Sequence, residues 1–322
     1  MTTKIKIRSA CLIACLLATA LFASCGGGEN NKNEGREQSR FETMNSGTIT
    51  IYCEEGLYGM MSKPFELYAK DYPKVQFKTV CVSTREAFKV LLGGAARLII
   101  SSREYLKDED SLMKVYKVPE HKKMIIARDG LVFFTNKSYQ TDMFMKSSQI
   151  KDYFTKKDTK FSGIETYPEN KLAEEPILAI NNAQSSEYAN FIKYVCGGLN
   201  PVKSLKLFQN SDSLISYVKS NKNVIGIGYL SQTAKDTNVH FISIGYTDST
   251  GKYINPKPVH QAYIVQKKYP FIIPIYAYLL EDRQNLPYWV GMYFAKEGKI
   301  QKYFLDKGIV PEYAIIHGIP EQ

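Results

Sequence analysis

From residue 48 to residue 118, segments of strand and helix character follow one another almost without a gap, and that rhythm restricts the fold more than any other feature. Residues 48–52 (TITIY) alternate like a half-buried strand, and 60–73 (MMSKPFELYAKDYP) space their apolar side chains like a helix that stops at Pro73. Residues 75–82 (VQFKTVCV) read as a second strand, 84–94 (TREAFKVLLGG) as a helix closing on glycines, 96–102 (ARLIISS) as a third strand and 107–118 as another helix. Parallel strands need a crossover of helical length, so a βαβαβ order predicts a parallel sheet with helices on its faces, an α/β fold.

The remainder continues the alternation. Residues 121–138 (HKKMIIARDGLVFFTNKS) read as a long strand pair, 147–157 as a polar helix, 175–182 (EPILAINN) as a strand, and 185–198 and 211–221 as helices. Residues 224–230 (VIGIGYL) and 239–246 (VHFISIGY) are strand-like, 245–258 loop-like, 260–280 aromatic and β-rich, and 287–308 helical. A chain of 322 residues with 44% hydrophobic content can bury the core that two domains require. Its net charge of +10 is scattered rather than blocked, and no basic stripe interleaved with aromatics marks a nucleic-acid surface, so no nucleic-acid partner is expected.

The first 25 residues carry a basic start (Lys4, Lys6, Arg8), an apolar run from Ala10 to Ala23, and small residues before Cys25. The run is short for a membrane span and has the build of a signal peptide. Residues 21–25 (LFASC) resemble a bacterial lipobox. That resemblance implies acylation of Cys25 with palmitate-type chains and anchoring in the bilayer, on the outer side of the cytoplasmic membrane or on an outer membrane. An ordinary secretory signal with an incidental cysteine is the alternative. Residues 26–45 are polar and glycine-rich and read as a flexible tether. With Cys11 and Cys15 in the signal, Cys53, Cys81 and Cys196 remain. A Cys53–Cys81 disulfide and buried thiols are both open. The histidines (121, 240, 260 and 317) are dispersed without metal-ligand spacing, and no nucleophile–base arrangement can be argued, so neither a metal, a cofactor nor an enzymatic reaction is expected.

In order along the chain, several motifs resemble the phosphate-binding lipoproteins of bacterial phosphate ABC importers (PstS-like proteins), a branch of the type II periplasmic binding proteins. Residues 47–51 (GTITI) resemble the opening strand of that family. Residues 91–103 (LLGGAARLIISSR) resemble "LLNGEADIAMASR", and 129–132 (DGLV) the strand that crosses between lobes. Residues 226–229 (GIGY) are similar to "AIGY", 269–276 (YPFIIPIY) to "YPLSRPLY", and Glu297-Gly298 with 308–311 (GIVP) to the closing "EGQ…GYVP". The resemblance implies two α/β lobes with a ligand cleft between them, residues 46–129 and 246–322 forming one and 130–245 the other. It also implies a small anion such as inorganic phosphate as ligand and a membrane permease or envelope transport complex as partner.

The binding loops diverge from that pattern. Cys53, Glu54, Glu55 and Gly56 stand where the family has "GSST", and residues 182–188 (NAQSSEY) where it has "REEGSGT". Thr84, Ser102, Arg103, Ser185 and Ser186 are the surviving candidate contacts. Ser185 and Ser186 also read as an ordinary helix cap, and Arg103 as a partner of Glu104 or Asp108. Glu54 and Glu55 admit two readings. As caps pointing into solvent they are harmless. Facing the cleft, one of them would oppose a bound anion by about 4 kcal/mol at 4 Å and an effective dielectric near 20, unless Arg85 or Arg103 neutralised it. The cleft would then take another ligand or none, and the protein would serve as an envelope scaffold or partner-binding subunit.

Overall fold

The computed structural model describes residues 42–138, 144–161, 175–257 and 259–313. Cys25 and the rest of residues 1–41 lie outside the described residues, as does His317. Among the described residues no helix is long and apolar enough to cross a membrane.

The first strand, β1 (Gly47–Glu54), pairs in parallel with β2 (Val75–Val82) on one side and β3 (Leu98–Ser101) on the other. Helix α1 (Glu55–Asp71) leads from β1 to β2, α2 (Thr84–Leu92) from β2 to β3, and α3 (Lys107–Val115) follows β3. The buried positions of α1 include Leu57, Met61, Phe65 and Tyr68, spaced four, four and three residues apart, so they form one stripe. Phe65 and Tyr68 meet Phe294 and Tyr293 edge-on, with ring centroids 5.6 and 5.1 Å apart. Helix α2 is capped by Ser83, whose side chain accepts the Glu86 N–H, and closes at Gly93 and Gly94, the latter at φ +72°.

Residues 121–138 form not a strand pair but one continuous strand, β4 (Lys122–Asn136). Its first half pairs with β12 (Ile272–Leu279) from Lys122 to Gly130, and its second half pairs with β8 (Val224–Tyr229) from Leu131 to Phe134. No turn interrupts it because Asp129-Gly130 runs straight through: Gly130 pairs with Ile272, and a Cβ there would stand 3.3 Å from Ile264. Beyond β8 lie β6 (Ile177–Asn181) and β7 (Lys206–Phe208), both parallel to their neighbours. The strand order β2-β1-β3-β12-β4-β8-β6-β7 thus has β4 as the seam between two lobes. Short strands β9 (Val239–Phe241) and β13 (Val310–Pro311) also pair with β4.

Helices α4 (Ser147–Thr155), α5 (Ser186–Asn190) and α6 (Ser211–Ser220) lie between the strands of the β8 side, and α5 continues as a π-helical turn, Phe191–Val195. Helix α7 (Leu230–Thr233) follows β8. The stretch 245–258, read as loop, contains β11 (Tyr253–Lys257), paired with β10 (Ser243–Thr247) beside β5 (Phe144–Lys146). Its turn is tied by Asp248, which accepts the Thr250 and Lys252 N–H groups, and Pro256 is tolerated because β11 is an edge strand. Residues 260–280 begin with a short helix, α8 (Gln261–Val265), capped by His260 Nδ1, before turning to strand. The terminal helical stretch is two helices, α9 (Leu286–Lys296) and α10 (Gly298–Asp306), separated by an extended Glu297. One large apolar core runs through both lobes, with a smaller cluster of Ala87, Phe88, Leu91, Ile99 and Tyr278 under α2.

Candidate functional site

The parallel strands of the first lobe end in the same direction, at Glu54, Val82 and Ser101, and those of the second at Asn181, Phe208 and Tyr229. In open α/β sheets ligands bind in the crevice outside such carboxyl ends. Here the two edges meet, and the residue between them is Glu54.

Glu54 is completely buried. Its backbone stands at the N-cap of α1 in an extended conformation (φ −63°, ψ 145°), yet its side chain makes no capping hydrogen bond. One carboxylate oxygen accepts from Ser101 Oγ at 2.7 Å. The other accepts from the Ser102 N–H at 3.1 Å, from Ser102 Oγ, and from Ser186 Oγ at 2.7 Å. Ser101 ends β3 in the first lobe and Ser102 follows it, whereas Ser186 opens α5 in the second. A further layer fixes these hydroxyls. Tyr229 at the end of β8 donates to Ser186 Oγ at 2.9 Å and lies 2.8 Å from Ser102 Oγ. Asn190 Nδ2 donates to the Tyr229 hydroxyl and to the Ser102 carbonyl, both at 2.8 Å.

A second carboxylate is buried close by. Glu187 accepts from Gln232 Nε2 at 2.8 Å and Asn181 Nδ2 at 3.1 Å, and the same Gln232 nitrogen reaches across to the Gly56 carbonyl at 3.1 Å. A Cβ on Gly56 would sit 2.7 Å from Glu187 Oε1 and would push that carboxylate from its present place. Burial raises the Glu54 pKa, the hydroxyls of Ser102, Ser186 and Ser101 pull it down, and Glu187 adds to the rise. Glu55 is exposed; its pKa is raised by partial burial and by Glu187. At the lobe crossing Asp129 accepts the N–H groups of Gly130 (2.7 Å) and Ser231 (3.2 Å), and burial pushes it up to about 6.

Four neutral donors from two lobes thus converge on one carboxyl group, beside a strand common to both. A family model described as "PBP superfamily domain" matches residues 39–299. This chain belongs to the PBP superfamily. Within it, the chain is 23% identical over 291 residues to the phosphate-binding protein PstS of Staphylococcus epidermidis, covering 88% of this chain and 83% of that protein. It is also similar in fold to a putative phosphate ABC transporter substrate-binding protein with bound phosphate from Clostridium perfringens. The TM-score there is 0.64 at 17% identity, over 82% of this chain and 99% of the other. An ABC-type phosphate transport receptor from Vibrio cholerae gives 0.61 at 17% identity, over 82% and 100%. The two-lobed α/β architecture expected from the sequence is that of the superfamily.

Among the residues singled out in the sequence, Glu54, Ser102 and Ser186 come together. Glu54 does not cap α1 into solvent; of the pair only Glu55 lies at the surface. Ser185 accepts the Tyr188 N–H at 3.2 Å and is a helix cap. Thr84 is buried at the start of α2 and takes no part in the hydrogen bonds to Glu54. Arg103 is turned away: it makes a two-pronged ion pair with Glu109 at 2.7 and 2.8 Å, rather than with Glu104 or Asp108, and stacks 4.1 Å above Phe88. Arg85 pairs with Asp108 and Glu109. Neither guanidinium neutralises Glu54. Cys53 and Cys81 are register partners on β1 and β2 but both are free thiols, and Cys81 is exposed rather than buried.

Sequence reasoning missed Ser101, Tyr229, Asn190, Glu187 and Gln232. Two signals pointed at them. Tyr229 closes the GIGY motif at a strand end, and Asn190 follows Ser186 by four residues, which puts both on one face of the helix.

Proposed function

We propose that this chain is a lipid-anchored solute-binding protein of a phosphate-type ABC importer, gripping phosphate or a related oxyanion at the lobe junction and passing it to a membrane permease. The observation that carries the reading is the convergence of Ser101, Ser102 and Ser186 from opposite lobes on a single carboxylate. Neutral hydroxyl and amide donors that can hold one buried anion suit an oxyanion of similar size. The relatives named above are phosphate-binding proteins, which supports phosphate as the first ligand to try. The lipobox-like residues 21–25 support anchoring through Cys25 in the cell envelope. The change of partner along β4 supports a division into residues 46–129 with 246–322 and residues 130–245. Recognition alone is proposed, with no bond made or broken.

Equilibrium dialysis of the full chain against labelled inorganic phosphate is the test. Saturable uptake is expected, and its absence up to about 10 mM, an affinity weaker than about −3 kcal/mol, removes the ligand assignment. Metabolic labelling with palmitate, abolished by Cys25→Ala, tests the anchor.

The pairing of two buried carboxylates, Glu54 and Glu187, at one junction favours a second reading: a closed envelope subunit that binds a protein partner instead of a solute. A membrane pull-down that recovers no partner, together with saturable phosphate uptake, would count against it.

A further inference from the structure

The lobe junction already holds a carboxyl group, and it is part of the chain. Glu54 has no solvent exposure, receives four hydrogen bonds from neutral groups and, among the described residues, makes no ion pair. The guanidinium groups of Arg103 and Arg85 are committed to Glu109 and Asp108. A buried charge costs much to keep unless its position is specified by several partners at once. Those partners come from both lobes, and Tyr229 and Asn190 orient them from behind. Three further bonds close the same seam: Asn190 to the Ser102 carbonyl, Gln232 to the Gly56 carbonyl at 3.1 Å, and Lys193 to Glu104 at 2.6 Å. The lobes are therefore shut around a group that the protein supplies itself.

On the reading that the junction is an oxyanion site, we infer that Glu54 is an internal competitor for it, a tethered carboxylate that holds the donors of Ser101, Ser102 and Ser186 until a free phosphate-type oxyanion displaces it. Both groups cannot share the site. A second anion about 4 Å from the carboxylate would meet a repulsion worth roughly three decades of affinity at an effective dielectric near 20. Binding of free anion is thus tied to withdrawal of the Glu54 side chain, and the apparent affinity is the intrinsic one scaled by the fraction of molecules in which it has withdrawn. A cavity of about 280 Å³ adjoins the junction, bounded by Glu55, Gly56, Asp212, Ser231, Gln232 and Lys307. With Lys307 in its wall it offers room for a displaced side chain. Glu54 is in this sense the residue that sets the threshold concentration at which the protein loads.

The experiment is calorimetric titration of the full-length chain in detergent with inorganic phosphate, comparing the natural protein with Glu54→Ser. The variant is expected to bind at least about 100-fold more tightly, within the three-decade estimate. If Glu54→Ser lacks a cooperative unfolding transition, Glu54→Gln keeps the shape and removes the charge, and a gain of at least about tenfold is expected there. Equal affinity in natural and variant proteins overturns the competitor role while leaving the oxyanion site standing. Absence of heat from natural and variant proteins alike, with their folds intact, overturns both.

Discussion

Asp129→Asn removes one buried acid from the lobe crossing and changes how stability depends on pH. In the native protein Asp129 has its pKa pushed from 3.8 to about 6, first by burial, against the pull of the Gly130 and Ser231 N–H groups. The folded state therefore keeps a proton that the unfolded chain releases, so this group contributes stability fully below the unfolded value, and that contribution is lost as pH rises through about 6. At 1.36 kcal/mol per pKa unit the loss is about 3 kcal/mol between pH 3.5 and 7.5. Asparagine keeps the acceptor that serves both N–H groups, because Oδ1 of Asp129 lies 2.7 Å from one and 3.2 Å from the other. Urea unfolding of natural and Asp129→Asn proteins across that pH range should show the difference in stability moving by about 3 kcal/mol in favour of the variant as pH rises. A difference that stays flat, or that moves toward the natural protein, would refute the assignment of Asp129 as a strained buried acid.

Three other outcomes follow from the packing. Arg103→Ala removes the two-pronged partner of the buried Glu109 carboxylate, leaving it Arg85 at 3.2 Å, and should cost about 3 kcal/mol in urea unfolding while leaving phosphate titration unchanged; a shift in ligand affinity without loss of stability would show that Arg103 faces the ligand after all. Gly226→Ala places a methyl 2.6 Å from the Phe134 ring and 2.8 Å from Val218, so thermal unfolding should register roughly 1–3 kcal/mol of overpacking. A maleimide should label exposed Cys81 well before Cys53 and Cys196, whose thiols are buried, as mapped by peptide mass spectrometry; equal rates would mean that β1 is open in solution.

The strand-and-helix order was legible in the sequence because apolar spacing is a local property: β1 to α3 fall where the period of two or 3.6 places them. Residues 245–258 were not, since Gly251, Pro256 and the hydrogen-bonding side chain of Asp248 are turn residues that also flank an edge strand. The continuity of β4 was hidden for a related reason, because an Asp-Gly pair reads as a hairpin turn until its long-range partner, β12, is known. At the site, the position of Glu54 at a strand-to-helix switch was visible, but its direction was not. Whether such a side chain faces water or the opposite lobe depends on Ser186, 132 residues away, and on a glycine at position 56 whose missing Cβ lets Glu187 come close.

The single 15-residue strand β4 has a consequence for how the molecule holds together. Its leading half pairs with β12 and its trailing half with β8, so a cut near residue 130 would part β12 from both of its partners, β3 and the leading half of β4, opening the centre of one sheet and leaving β12 with unmatched amides on both edges. Neither fragment is then a self-sufficient body. Any swing of the two halves would be taken up along β4 as torsion of an unbroken ribbon rather than as slack in a linker, tying their separation to a rotation.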